Sequence, residues 1–226
     1  MDKFLRRLKY YGFGFGIGIV FVFFFFQNRG CTWLPANRVK NSILERVIVV
    51  PQSQLELMKK NKGLDKKLMT YLNEGSVLFS ESEKSGPDKR YVIECDDLPN
   101  LHFTLPDESF ISAVYMIPPD KVEDRSGRAM VKHFPKDDHL LFLDTTDQIP
   151  CKLVKLGYEN ADALLKAMKK NAFIDFDKSE FNEVTKPLHY IETKDGEGKT
   201  MGFQAIWYKN KINVVGLFSS KNIECL

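Results

Sequence analysis

The sequence predicts an α+β protein, with one transmembrane helix at the N-terminus followed by two tandem β-α-α-β-β-β-β modules with antiparallel sheets. Three observations carry this. Residues 10–26 are apolar and free of charge, strand-like and helix-like patterns alternate in that order after residue 41, and the same order recurs over residues 139–218.

The first element is the apolar stretch. Tyr10 to Phe26 makes 17 uncharged residues ending in Phe23, Phe24, Phe25 and Phe26. At 1.5 Å per residue that is about 25 Å, the lower end of a bilayer span. A basic start before an apolar run also fits a cleaved signal peptide, but no small-residue cleavage site follows in Gln27, Asn28, Arg29, Gly30 and Cys31. Arg29, two residues before Cys31, argues against lipidation of that cysteine. The expectation is an uncleaved signal anchor with the N-terminus cytoplasmic and the bulk extracytoplasmic, because Lys3, Arg6, Arg7 and Lys9 precede the span. Gly12, Gly14, Gly16 and Gly18 form two G-x-x-x-G pairs, which would let two such helices approach as a homodimer. They do not form a dinucleotide loop, since no strand precedes them.

The remaining elements follow from periodicity. Arg46–Val50 is a β-branched run. Pro51 then opens a helix carrying Leu55, Leu57 and Met58, which Gly63 ends. Leu64–Asn73 places Leu64, Leu68, Tyr71 and Leu72 on one helical face. Strands are expected at Ser76–Ser80, Arg90–Cys95, Leu101–Leu105 and Phe110–Ile117. The second set is a leading strand His139–Leu143, helices Gln148–Leu156 and Ala161–Asn171, and strands Phe173–Asp177, Leu188–Thr193, Thr200–Lys209 and Ile212–Phe218. Residue matches support a repeat: Val77 and Phe79 with Ile174 and Phe176, Ile93 with Ile191, Phe103 with Phe203, Ile111 with Ile212. The domain reading is therefore a basic cytoplasmic tail at 1–9, an anchor at 10–27, and a juxtamembrane segment at 28–40. A first module at 41–118, a linker at 119–138 and a second module at 139–226 complete it.

Charge narrows the function classes. The whole chain carries +3, and residues 1–11 hold Lys3, Arg6, Arg7 and Lys9 against Asp2, a local +3. Residues 12–226 are thus neutral, which disfavours a nucleic-acid partner. The bilayer, through residues 10–27, and an unidentified protein or peptide are the expected partners. Cys31, Cys95, Cys151 and Cys225 have no zinc-like spacing, and two disulfides are arithmetically open to them in an oxidising compartment. Small thiols without a redox role are the plainer reading. No cofactor is expected.

Cys31, Thr32, Trp33, Leu34, Pro35, Ala36, Asn37, Arg38 and Val39, with Gly75 to Phe79 and Tyr91 to Ile93, resemble one group of proteins. These are the small bacterial membrane-anchored proteins of domain-of-unknown-function family 4258. The likeness covers residues 1–117 and implies an α+β module with an antiparallel sheet, without an assigned activity. The family is sometimes placed near the barnase-like and RelE-like ribonuclease folds, and that analogy supplies the alternative reading of a hydrolase or ribonuclease.

Such an enzyme would set basic, aromatic or histidine groups on one sheet face. The candidates are Lys89, Arg90, Tyr91 and His102, with Lys186, His189 and Tyr190 in the second copy. The two sets do not superpose. His133 and His139 stand six apart beside Pro135, Asp137 and Asp138, wider than the i, i+4 or i, i+2 pairs of metal sites on regular elements, and read as a solvated linker. Cys95 and His102 flank one turn, with no third group to orient them. A non-enzymatic binding module, using sheet faces or strand edges, is the favoured function.

Overall fold

The computed structural model describes residues 2–27, 34–107, 109–119, 126–135, 139–144, 146, 148–181, 186–195, 197–208, 211–219 and 224–225. Two compact units divide at residues 39 and 40.

The N-terminal unit holds a long helix, α1 (Asp2–Gln27), and the start of α2 (Pro35–Leu44). Among the described residues no helix is long and apolar enough to cross a membrane. This corrects the transmembrane helix, the signal anchor and the single-pass membrane location expected from the sequence. The physical reason lies in the stretch itself. Six of the residues from Tyr10 to Phe26 are Tyr, whose hydroxyl favours water, or Gly, which adds no side-chain surface, and Arg6, Arg7 and Lys9 lie on the same helix.

Among the described residues the second unit is built on one mixed sheet of eleven strands. In chain order the elements are β1 (Val47–Pro51), α3 (Gln52–Lys60), a single 3-10 turn (Leu64–Lys66), α4 (Leu68–Glu74), β2 (Ser76–Val77), β3 (Asp88–Cys95), β4 (Leu98–Pro106) and β5 (Ile111–Tyr115). Next come β6 (Arg128–His133), β7 (His139–Phe142), α5 (Gln148–Lys155), α6 (Ala161–Lys170), β8 (Phe173–Glu180), β9 (Leu188–Lys194), β10 (Thr200–Tyr208) and β11 (Lys211–Ser219). The spatial order is β2-β3-β4-β5-β1-β6-β8-β9-β10-β11-β7. Two separate tandem modules with antiparallel sheets are therefore overturned. The segment expected to be a linker contains β6, which pairs antiparallel with β1 on one side and with β8 on the other. Nor is the sheet purely antiparallel, since β1 runs parallel to β5 and β7 parallel to β11.

Within that single sheet the strand order of the first half, β2-β3-β4-β5-β1, returns as β8-β9-β10-β11-β7. Following the pairing directions from β1 through β6 to β8, each strand of the second half runs opposite to its counterpart. The helices change faces accordingly. Val47, Val49, Ile111, Ala113, Ala129 and Val131 share one core with Ile149, Leu153, Leu164, Leu165 and Met168 of α5 and α6. Leu55, Met58, Tyr71 and Leu72 of α3 and α4 are buried outside that core. Because side chains alternate along a strand, they cover the opposite face, with Ile48, Val50, Ile93, Phe103 and Val114. Each half consequently has one face covered by its own helices.

The register corrects some residue matches. Ile93 lies opposite Val77 and Leu101, and Ile191 lies opposite Ile174 and Phe203. The aromatic Phe203 thus stands where the first half has Leu101. Ile111 and Ile212 lie in the same core and so stand differently to their own helices: Ile111 points away from α3 and α4, whereas Ile212 points towards α5 and α6.

The cysteines are also settled differently from the plainer reading. Cys151 of α5 is disulfide-bonded to Cys225, Cys95 is a buried free thiol, and Cys31 lies outside the described residues. Burial raises the Cys95 thiol above its ordinary pKa, with Asp96 adding to the effect.

Candidate functional site

The most organised polar surface is the face of the second half that α5 and α6 leave open. Pairing sets its residues side by side: Arg128 of β6 opposite Asp175 of β8, Asp175 opposite Tyr190 of β9, and Phe173 opposite Glu192. Paired residues of neighbouring strands point to the same face, so sequence alternation alone gathers them. Phe173-x-Asp175 and Tyr190-x-Glu192 supply an aromatic and an acid from each strand.

The charges form a continuous chain. Glu192 is buried, with Oε2 2.6 Å from Arg128 Nη2 and Oε1 2.8 Å from Lys178 Nζ. Lys178 Nζ also lies 3.0 Å from Asp175 Oδ2, and Asp175 Oδ1 accepts the backbone N–H groups of Asp177 and Lys178. The rings support the cations, with Arg128 4.6 Å from the Phe173 centroid and Lys178 4.9 Å from that of Tyr190. Hydrogen bonds to Glu192 and then Asp175 hold the Lys178 ammonium well above its usual pKa. Burial raises the Tyr190 phenol. Both carboxylates are buried while the cations face outward, the Lys178 side chain 54% exposed and that of Arg128 43%. The net charge of the four is zero, yet the cations are the exposed members of the set.

Gly202 of β10 gives the Tyr190 ring its place. A Cβ there would collide with the phenol oxygen and Cζ of Tyr190. At the end of the chain a cavity of about 190 Å³ opens between Arg128, Phe173, Glu192, Lys194 and Thr200. No family model, no curated protein and no solved structure matches this chain. The likeness to family 4258 accordingly rests on the residues quoted for it.

The residues nominated from sequence do not form one constellation. Pairing of Arg90 with Thr104 and of Val92 with His102 puts Arg90 and His102 on one face. Lys89 and Tyr91 point to the other. Arg90 Nη2 lies 3.0 Å from Glu83 Oε1, its Nη1 donates to the Pro119 carbonyl at 2.9 Å, and Lys89 pairs with Asp107 at 2.5 Å. Tyr91 is buried edge-on to Phe79, their centroids 6.4 Å apart. His102 is half-buried, and its Nδ1 has no partner among the described residues. Burial, then the Arg90 charge, lowers its pKa.

In the second half His189 is fully buried, its Nε2 2.9 Å from Ser109 Oγ and its ring 4.3 Å from that of Phe110. It therefore joins the loop before β5 to β9. Tyr190 takes the opposite face, and Lys186 precedes β9. Cys95 pairs with Leu98 rather than His102. Asp137 and Asp138 lie outside the described residues, and no cluster of three metal-ligating groups occurs among the described ones. The glycines of α1 leave a groove lined by Phe13, Ile17, Val20 and Phe21, and a Cβ added at Gly12, Gly14, Gly16 or Gly18 would meet no atom within 4 Å.

The sequence reading missed Arg128, Asp175, Lys178 and Glu192. An acid at alternate positions of two adjacent strands, beside an aromatic each time, was the available signal. Arg128 was hidden because its strand read as linker.

Proposed function

We propose that this chain is a non-enzymatic binding module whose open sheet face receives an acidic segment of a protein partner. The observation that carries the reading is the Arg128–Glu192–Lys178–Asp175 chain. Its two cations are held in place by buried carboxylates and by aromatic rings, and their outer sides remain available to a partner's carboxylates. Holding the cations in one arrangement lowers the ordering cost of binding. The scattered placement of Lys89, Arg90, Tyr91 and His102 gives the ribonuclease reading no comparable support.

The test uses the full chain and two synthetic octapeptides, one glutamate-rich and one lysine-rich. The acidic peptide should bind and shift the resonances of Lys178 and Arg128, with an affinity about tenfold lower in Lys178→Ala and reduced by added salt. Equal binding of both peptides would overturn the reading. So would cleavage of single-stranded RNA by the chain that is lost in a variant carrying Arg90→Ala and His102→Ala.

A further inference from the structure

The sheet ends on one side at β7, and the other half of the molecule shows what this strand is built to receive. β1 and β7 hold corresponding places, each the leading strand of its half and each parallel to the last strand. Ile48 lies opposite Ser112 as Leu140 lies opposite Ile212, which aligns Ile48 with Leu140 and Val50 with Phe142. The hydrogen bonds agree. Val47 N–H donates to the carbonyl of Phe110, the residue just before β5, so Ile48 and Val50 direct their peptide groups away from β5, towards β6. Leu143 N–H donates to the Val214 carbonyl of β11, so Leu140 and Phe142 direct theirs away from β11. On β1 that outer edge is taken by β6. On β7 no strand occupies it among the described residues.

The β7 edge lacks the usual protection. Leu141 is 40% exposed and Leu143 48%, and no proline or charged side chain interrupts the residues from Leu140 to Leu143. Edge strands are normally blunted by such residues, by a bulge or by shortness, and here only shortness applies.

A second correspondence specifies the ligand. Gly63 and Gly157 both adopt left-handed conformations, φ 64° and 90°, and each is followed by a buried apolar residue, Leu64 or Tyr158, and then an acid. The first acid, Asp65, takes Lys132 of β6 at 2.8 Å. The second, Glu159, is exposed and has no partner among the described residues. We infer that β7 accepts an extended segment of a partner protein as an added antiparallel strand, of the chemistry β6 shows: small and branched apolar residues at alternate positions, followed by a lysine for Glu159. β6 cannot fill both edges, being paired on both sides already. This site uses an edge, independent of the open face described above.

The test is a peptide with the sequence of residues 127–134 added to the full chain, with amide hydrogen exchange read residue by residue. The inference expects slowed exchange at Leu140 and Phe142 and no such effect from a scrambled peptide. A peptide with glutamate in place of its lysine should bind at least fivefold more weakly, and Glu159→Lys in the protein should restore that loss. Leu141→Lys, at an exposed site, should abolish the protection while leaving the fold intact. Protection at β1 or β8 instead, equal protection by the scrambled peptide, or none at Leu140 and Phe142 would overturn the inference. So would self-association of the chain that Leu141→Lys abolishes, since a second copy would then be the occupant.

Discussion

Ser82 and Ser179 hold the same place in the two halves of the sheet. Ser82 Oγ donates to the Leu78 carbonyl at 2.7 Å and accepts Val92 N–H at 3.0 Å. Ser179 Oγ donates to the Asp175 carbonyl at 2.6 Å and accepts Tyr190 N–H at 3.0 Å. In each case a hydroxyl closes a turn on itself and fastens it to the next strand, where a backbone donor would otherwise lack a partner.

Replacing either serine by alanine should cost about 1–2 kcal/mol, because it removes both hydrogen bonds of the hydroxyl and strands a backbone N–H. The two sites share no partner, so Ser82→Ala and Ser179→Ala should add in the double variant. Chemical denaturation of the three variants checks both statements.

His102 gives the protein a pH dependence of known sign. Its folded pKa lies below the ordinary 6.5, owing to burial and then to the Arg90 charge. Between the depressed folded value and 6.5 the unfolded chain binds the extra proton. Stability therefore rises with pH across that window and is lost as pH falls through it. His102→Gln should flatten this part of the stability profile, measured by urea unfolding at a series of pH values. An unchanged slope would show that another group controls it.

Two glycines should respond very differently to alanine. At Gly75 the new methyl would meet the Glu94 carbonyl oxygen at 2.5 Å and that of Tyr71 at 2.6 Å, backbone atoms that cannot yield without moving β3 or α4. Gly75→Ala should cost about 3 kcal/mol or more. At Gly202 the obstacle is the far end of the Tyr190 side chain, which can swing away, so Gly202→Ala should cost only about 1 kcal/mol. It should also withdraw the ring from under Lys178 and weaken binding of the acidic peptide. Thermal unfolding beside a peptide titration separates the two effects.

Much of the secondary structure is legible because its signals are local. Asn160 caps α6 by accepting Ala163 N–H, and buried Leu164, Leu165 and Met168 follow at helical spacing. The strands from β3 to β5 and from β8 to β11 show their β-branched and aromatic runs. β6 was not legible: Arg128, Lys132 and His133 make it read as solvated linker, and its strand character depends on neighbours far along the chain. The parallel pairing of β1 with β5 and β7 with β11 is equally non-local. For the site, alternation along a strand shows which side chains share a face, but only strand order shows that Arg128 meets Glu192. The apolar content of α1 misled through its phenylalanines, because a charge-free run is not the same as sufficient hydropathy.

The Cys151–Cys225 bond changes what the unfolded chain looks like. Residues 151–225 form a covalent ring that contains the last five residues of α5, α6 and β8 to β11, while the residues before Cys151 form an open arm leading into it. β7 lies on the arm and β11 in the ring, and they pair at Lys211 with His139 and at Ile212 with Leu140, about 72 residues apart along the backbone. Through the sulfur bridge the same partners are separated by only about 26 links. Loop-closure entropy grows with the logarithm of that separation, so the shortcut makes this parallel pairing easier by about 0.9 kcal/mol. A contact that topology would otherwise delay is thereby brought forward, and reduction of the bridge should slow the formation of the β7–β11 edge more than that of any hairpin within the ring.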